Sequence, residues 1–87
     1  MRLSVRYFAS LREALGGGGA IAWTPPATGQ ANAGALRAWL RAQSATHERV
    51  LAPGRAVRVA VDQTMADDAT LLHDGAEVAF FPPVTGG

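Results

Sequence analysis

The 87-residue sequence contains neither cysteine nor lysine. Without cysteine the chain can form no disulfide, and it offers no thiolate metal ligand and no side-chain thiol that could carry sulfur. Without lysine no side chain can form a Schiff base or accept an isopeptide bond, and all eight basic residues are arginine. Any sulfur chemistry of this chain must therefore use something other than a side chain.

Long apolar runs and concentrated positive charge are also missing. No segment is long and apolar enough to span a bilayer, and no apolar region follows a basic start as in a signal peptide. The net charge is +1 and the arginines are scattered along the chain, which argues against nucleic-acid binding. The sequence predicts one small cytoplasmic domain with neither nucleic acid nor membrane as a partner.

Candidate catalytic and metal-binding groups are sparse. His47 and His73 have no second ligand at metal spacing and no partner nucleophile, so surface or capping roles are predicted. Asp67 and Asp68 are typical of a turn. The Gly16–Gly19 run lacks the Lys-Ser/Thr of a phosphate-binding loop, which favours a permissive turn. No metal site and no stably bound cofactor are predicted.

The apolar periodicity predicts a small α+β fold with a mixed sheet. Ser10 and Glu13 suggest a capping box for a short helical turn over Leu11–Leu15, which Gly16 should end. A loop is expected over Pro25–Gly34. The strands are predicted at Met1–Phe8, Ala20–Thr24, Val57–Val61, Gln63–Met65 and Ala76–Phe81.

One main helix is predicted from about Asn32 to Ser44, followed by a linker carrying Pro53 and Gly54. Arg37 and Arg41 should lie together on its solvent side. Its buried side would carry the residues spaced at i, i+3, i+4 and i+7, which are Leu36, Trp39, Leu40 and Gln43.

The end of the sequence is its most informative part. Two glycines, Gly86 and Gly87, present a carboxylate on residues without Cβ atoms, which can enter a channel too narrow for a side chain. Pro82 and Pro83 favour an extended stalk before them. Residues 82–87 reach at most roughly 20 Å at ~3.3 Å per residue. We predict a domain over 1–81 and a tail over 82–87 that reaches into another protein's active site.

Strand parity places two phenylalanines on the polar side of the sheet. Phe8 shares its parity with Arg2 and Arg6, and Phe81 shares its parity with Glu77. If the first and last strands are neighbours and Met65 lies nearby, these side chains form an exposed apolar patch of the kind that marks a partner site.

Three segments carry a family resemblance that runs nearly end to end. Asp74–Gly87 is similar, almost residue for residue, to the ending of the ubiquitin-like sulfur carriers that form the small subunit of molybdopterin synthase. Val5–Glu13 is similar to their opening and Val61–Met65 to their central strand. The family usually has asparagine where this chain has Asp62, a change expected to weaken local hydrogen bonding.

The resemblance implies a β-grasp fold and a non-catalytic sulfur-donating subunit. Gly87 would be adenylated by a ubiquitin-activating-like enzyme that consumes ATP, converted to a thiocarboxylate with sulfur from a donor protein, and inserted into the large synthase subunit. There it would donate sulfur to cyclic pyranopterin monophosphate, in a complex of two small and two large subunits. The implied tail is Pro82, Pro83, Val84, Thr85 and Gly86, and the implied partner contacts are Phe8, Met65, Phe81 and Arg12.

Three other functions remain open at this stage. A sulfur carrier for thiazole or cysteine formation would use the same terminal chemistry. A ubiquitin-type modifier would also be adenylated but would end in an amide to a target lysine. A plain interaction domain would keep the fold and tolerate changes at Gly87.

Overall fold

A computed structural model describes residues 1–83, and Val84–Gly87 lie outside the described residues. The predictions that concern the reactive end of the tail therefore fall outside the structure. The elements, in chain order, are β1 (Arg2–Tyr7), α1 (Ala9–Leu15), β2 (Gly18–Ala22), α2 (Ala33–Arg41), α3 (Ala45–Leu51), β3 (Arg58–Val61), β4 (Thr64–Ala66) and β5 (Glu77–Phe81).

The five strands form one mixed sheet in the order β2-β1-β5-β3-β4. β1 and β5, the first and last strands, lie side by side and parallel. The other three pairings are antiparallel. Since β5 is central, the chain leaves the domain from the middle of the sheet.

The core lies between one face of this sheet and the helices. Alternate residues of β1 and β5 point inward, and the buried side chains of α2 and α3 cover them. This two-layer arrangement confirms the predicted α+β, β-grasp fold. The main apolar residues of the core are Leu3, Val5, Tyr7, Leu36, Leu40, Val50, Leu51, Val78 and Phe80.

A second full helix replaces most of the predicted linker. The main helix ends at Arg41, and α3 follows from Ala45 to Leu51. Ser44 begins it, because the Ser44 Oγ accepts a hydrogen bond from the His47 N–H at 3.1 Å. The prediction of one helix reaching Ser44 was wrong because α2 ends at its C-cap residue, Ala42. Ser44, two residues later, caps a new helix.

The start of α1 also differs from the prediction. Phe8 is its N-cap residue and makes no side-chain cap bond, while Ser10 lies inside the helix, so the capping box does not form. The stop at Gly16 is confirmed, with φ +83° and its N–H donating to the Arg12 carbonyl.

Arg37 does not point to solvent as predicted. Its Nε donates to the Leu51 carbonyl at 2.7 Å, and its Nη2 donates to those of Ala52 at 2.7 Å and Arg55 at 3.3 Å. The guanidinium thereby satisfies carbonyls at and beyond the C-terminus of α3 that have no intrahelical donor. Arg41 joins the same two helices by a bidentate pair with Glu48, both N–O distances being 2.9 Å.

Within residues 1–83 no helix has both the length and the apolar character required to cross a bilayer.

Candidate functional site

The face of the sheet opposite the helices carries two of the predicted partner residues, Met65 and Phe81, and Phe8 follows directly after β1. Register fixes their neighbours: Phe81 lies opposite Arg58, and Ala60 lies between Ala79 on one side and Met65 on the other. Small side chains therefore separate the larger apolar ones. We call Phe8, Met65 and Phe81 together the apolar patch.

Phe8 is 43% exposed, and its extended backbone, with φ −126° and ψ 159°, continues the alternation of β1 that predicts this exposure. Its N–H still donates to the Phe80 carbonyl at 3.1 Å, while its own carbonyl accepts the N–H groups of Leu11 and Arg12. The next residue, Ala9, turns the chain through a left-handed conformation, with φ +53°. Phe8 thus connects β1 to α1 beside the end of β5, and its side chain is exposed to solvent.

Met65 and Phe81 lie on the same side of the sheet but not in adjacent strands. Met65 is 59% exposed on the edge strand β4, and Phe81 is partly buried on the central strand β5. Two strand spacings of ~4.8 Å separate these strands by roughly 10 Å. The patch is therefore a broad, shallow surface with alanines at its centre, a shape that suits a flat partner.

Charged groups border the apolar patch. Arg6 pairs with Glu77 at 3.4 Å across β1 and β5. Arg12, the fourth predicted contact, is exposed on α1 and lies beside the glycine run rather than in the patch. It lines a hollow of about 300 Å³ together with Arg6. The border on this side is basic.

The stalk begins at the edge of the patch. Pro82 and Pro83 follow Phe81 directly and are partly exposed. Pro82 lines a hollow with Ser10 and Leu11 of α1, so the chain leaves β5 alongside the start of that helix. The patch and the exit of the tail are thus adjacent.

Sequence analysis did not single out Leu71, which is 61% exposed. It forms an isolated bridge with Asn32, the N-cap residue of α2. No periodicity could have found it, since it lies in a loop.

Asp62 does not weaken local hydrogen bonding as expected, because its carboxylate accepts two contacts. Asp62 and Gln63 form the tight β3–β4 turn with φ +50° and +66°. The Asp62 Oδ1 accepts the Glu77 N–H at 3.0 Å, and its Oδ2 lies 2.7 Å from the His73 Nε2. The Glu77 N–H and then His73 hold the pKa of Asp62 below its ordinary value. Asp62 in turn raises the pKa of His73.

This pair predicts a pH-dependent contribution to stability. Asp62 stabilises the fold above its ordinary pKa of 3.8, and this is lost as the pH falls through its lowered folded-state pKa. His73 contributes fully below 6.5, and its contribution is lost as the pH rises through its raised pKa. We expect the stability difference between wild type and His73→Gln in urea to be larger at about pH 5.5 than at about pH 8.5.

Asp62→Asn is the matched control, because its amide oxygen can still accept the Glu77 N–H while the charge is gone. In that background the effect of His73→Gln should depend less on pH but keep a smaller pH dependence, because the Asp74 carbonyl, 2.9 Å from the His73 Nδ1, also raises the pKa of His73. An equal difference at both pH values in the wild-type background would contradict the coupling.

The fold and sequence can be compared with known proteins. The chain is 40% identical over 85 residues to the molybdopterin synthase sulfur carrier subunit of Escherichia coli (strain K12), covering 98% of this chain and 99% of that one. Small archaeal modifier protein 1 of Haloferax volcanii superposes with a TM-score of 0.69 at 27% identity, covering 95% of this chain and 98% of that one.

A third comparison is with a complex. The solved assembly of subunits 1 and 2 of the molybdopterin-converting factor from Helicobacter pylori contains a chain that matches with a TM-score of 0.65 at 25% identity, and all of both chains is covered. The sequence also matches the ThiS family over residues 5–87. With its β-grasp sheet and a family match over nearly its whole length, this chain belongs to the ThiS family.

Proposed function

We propose that this chain is a sulfur carrier of molybdopterin synthesis. The observation that carries the proposal is the 40% identity to the Escherichia coli sulfur carrier subunit, which extends over 98% of this chain and 99% of that one. The family match runs over residues 5–87 and so spans both the domain and the tail. The function would be exerted in the cytoplasm.

The proposed reactive group is the carboxylate of Gly87. A carboxylate is a poor electrophile, so an adenylating enzyme first joins it to AMP from ATP, releasing pyrophosphate. Sulfide-level sulfur delivered by a donor protein then displaces AMP and leaves a thiocarboxylate, which is a nucleophile built from the main chain. This chemistry suits a chain without cysteine. The thiocarboxylate sulfur bonds to cyclic pyranopterin monophosphate in place of an oxygen substituent. Water then hydrolyses the resulting thioester, which leaves the sulfur on the pterin and regenerates the carboxylate for another cycle.

The proposed acceptor site is provided by a large synthase subunit. The apolar patch and Arg12 would hold the domain against it, and Pro82–Gly86 would thread into its active site. The adjacency of Phe8, Phe81 and the stalk supports one continuous contact. Fixing the domain in this way converts sulfur transfer into a reaction between groups already in one pocket.

The decisive experiment is the intact mass of the protein after incubation with an adenylating enzyme, ATP and a sulfur donor. We expect a gain equal to the exchange of one oxygen for one sulfur, and fragmentation should assign it to Gly87. The control omits ATP. If an enzyme that thiocarboxylates its own carrier leaves this mass unchanged, the sulfur-carrier proposal fails.

Protein modification is the second candidate, because the fold also matches small archaeal modifier protein 1. A modifier would appear as covalent conjugates whose tryptic fragments carry residues 59–87 of this chain on a target lysine, because Arg58 is the last trypsin site. Free thiocarboxylate without conjugates separates the carrier from the modifier.

Phe81→Asp tests the docking surface. Burying a carboxylate at the centre of an apolar contact is costly, so affinity for the large subunit should fall roughly tenfold or more by calorimetry. Leu71→Asp is the control, since Leu71 is also apolar and accessible but lies by α2. Equal affinities of the two variants for the large subunit would contradict the proposal that the apolar patch lies in the interface. Both must first show wild-type thermal unfolding.

A further inference from the structure

A cavity of about 490 Å³ lies on the helical side of the sheet, opposite the apolar patch. The edge strand β2 and the helix α2 form its walls. Apolar and aromatic side chains predominate in its lining, while the glycine run of residues 16–19 contributes only backbone. The side chains that line it include Tyr7, Leu15, Ile21, Trp39 and His47.

The cavity exists because an inward position of β2 has no side chain. Gly19 pairs with Val5, and Ile21 pairs with Leu3, so all four residues face the core. Val5 and Leu3 are both 2% exposed. A Cβ built on Gly19 would meet no atom within 4 Å, and the backbone there is not left-handed. Gly19 is itself exposed and Ile21 is the one partly buried residue of β2, so the space is an open vacancy on the inner face of this edge strand.

A hydroxyl group without a partner borders this space. Tyr7 is 4% exposed, and within residues 1–83 its hydroxyl has no hydrogen-bond partner. Buried hydroxyls are normally satisfied, so such a group calls for an explanation. Its ring is fixed by stacking on Phe80 at 6.1 Å and by an edge contact with His47 at 6.4 Å between centroids. The tyrosine is held in place with its polar atom unused.

We propose that this cavity binds a small planar aromatic molecule that carries a carbonyl oxygen. The flat body would lie against Trp39, Leu15 and Ile21 in the space left by Gly19. The carbonyl would accept a hydrogen bond from the Tyr7 hydroxyl. Ligand sites of this kind have volumes of roughly 300–1,000 Å³, apolar and aromatic walls and a few polar groups that fix orientation. The cavity meets each condition.

His47 provides the way in. The Tyr7 hydroxyl is itself covered, and the partly exposed His47 ring packs against Tyr7 at the mouth of the cavity. The Ser44 Oγ lies 2.7 Å from its Nδ1 and holds the ring over the tyrosine. In this proposal, rotation of the His47 side chain would give the ligand access to the Tyr7 hydroxyl. The tail and the apolar patch take no part, so the site is independent of the proposed function.

The probe is carbostyril, a bicyclic lactam with a carbonyl group, titrated into the full chain while amide and indole resonances are followed by NMR. We expect saturable shifts at residues 16–21 and at the Trp39 indole. Tyr7→Phe should weaken binding of carbostyril roughly fivefold, the effect of losing one neutral hydrogen bond. Naphthalene has no carbonyl, and its affinity should be unchanged by that substitution.

Gly19→Leu fills the vacancy and should abolish the shifts. Trp39→Ala supplies a second variant if the first fails to fold, and it should also abolish saturable binding. A protein lacking Gly86 and Gly87 should bind carbostyril like wild type. The proposal is overturned if carbostyril gives no saturable shifts, if the shifts map to the apolar patch, or if a folded Gly19→Leu or Trp39→Ala variant retains wild-type affinity.

Discussion

Removal of Gly86 and Gly87 is expected to abolish sulfur transfer while leaving the stability of the domain unchanged. Within residues 1–83 every core residue lies at or before Phe80, and a glycine has no side chain to pack, so the deletion should leave the core intact. The shortened chain would end at Thr85, a β-branched residue. Its terminal carboxylate would be two residues short of the position that Gly87 reaches in the acceptor pocket. Product formation in the reconstituted synthase should fall below detection, while the urea midpoint stays at the wild-type value.

Gly87→Ala is the informative control for this deletion. It keeps the length and the carboxylate and adds only a Cβ atom. If a narrow channel is the reason for the glycines, this variant should transfer sulfur more slowly than wild type but faster than the deletion. Full transfer by the shortened protein would end the proposal that Gly87 is the reactive residue.

Gly18→Ala is expected to destabilise the fold by roughly 2–5 kcal/mol, from left-handed backbone strain and overpacking together. Gly18 has φ +86°, a conformation that costs an L-residue energy. A Cβ there would also lie 2.8 Å from the Val5 carbonyl carbon and closer still to its oxygen. Since the free energy of unfolding of small domains is only about 5–15 kcal/mol, this loss should be measurable by urea denaturation.

The neighbouring glycines separate the two causes. Gly16 has nearly the same φ, +83°, with ψ −176°, but open space around its Cβ position, so Gly16→Ala should cost only about 1–3 kcal/mol. Gly19 has neither the left-handed backbone nor a close neighbour, and Gly19→Ala should stabilise the fold by roughly 0.5–1 kcal/mol. If Gly18→Ala costs no more than Gly16→Ala, the close approach to Val5 is irrelevant.

The strands and the main helix followed from local patterns because each buries one face. Alternation located β1, β3 and β5 within one or two residues, and the 3.6-residue period located α2. The short helix α3 was missed because its apolar residues, Val50 and Leu51, are too few to show a period. Its signals were Ser44 as a cap and Glu48 in the first turn.

Some features of the candidate site also followed from the sequence, and others did not. The glycines and prolines of the tail are read directly from the sequence, and the exposure of Phe8 was predictable from strand parity. The separation of Met65 from Phe81 was not, because it depends on β3 lying between them. The contacts of Arg37 and the pairing of Asp62 with His73 likewise join residues that are distant in the chain.

The sequence by itself determined which chemistry is open to this chain. The absence of cysteine and lysine means that no side-chain thiol can carry sulfur and no side chain can accept an isopeptide bond, and this follows from residue identity whatever the fold. Only the tertiary structure decided where space was left. The vacancy beside Gly19 and the unused Tyr7 hydroxyl arise because β2, β1 and α2 meet there, and packing between distant segments is a property that local spacing does not encode.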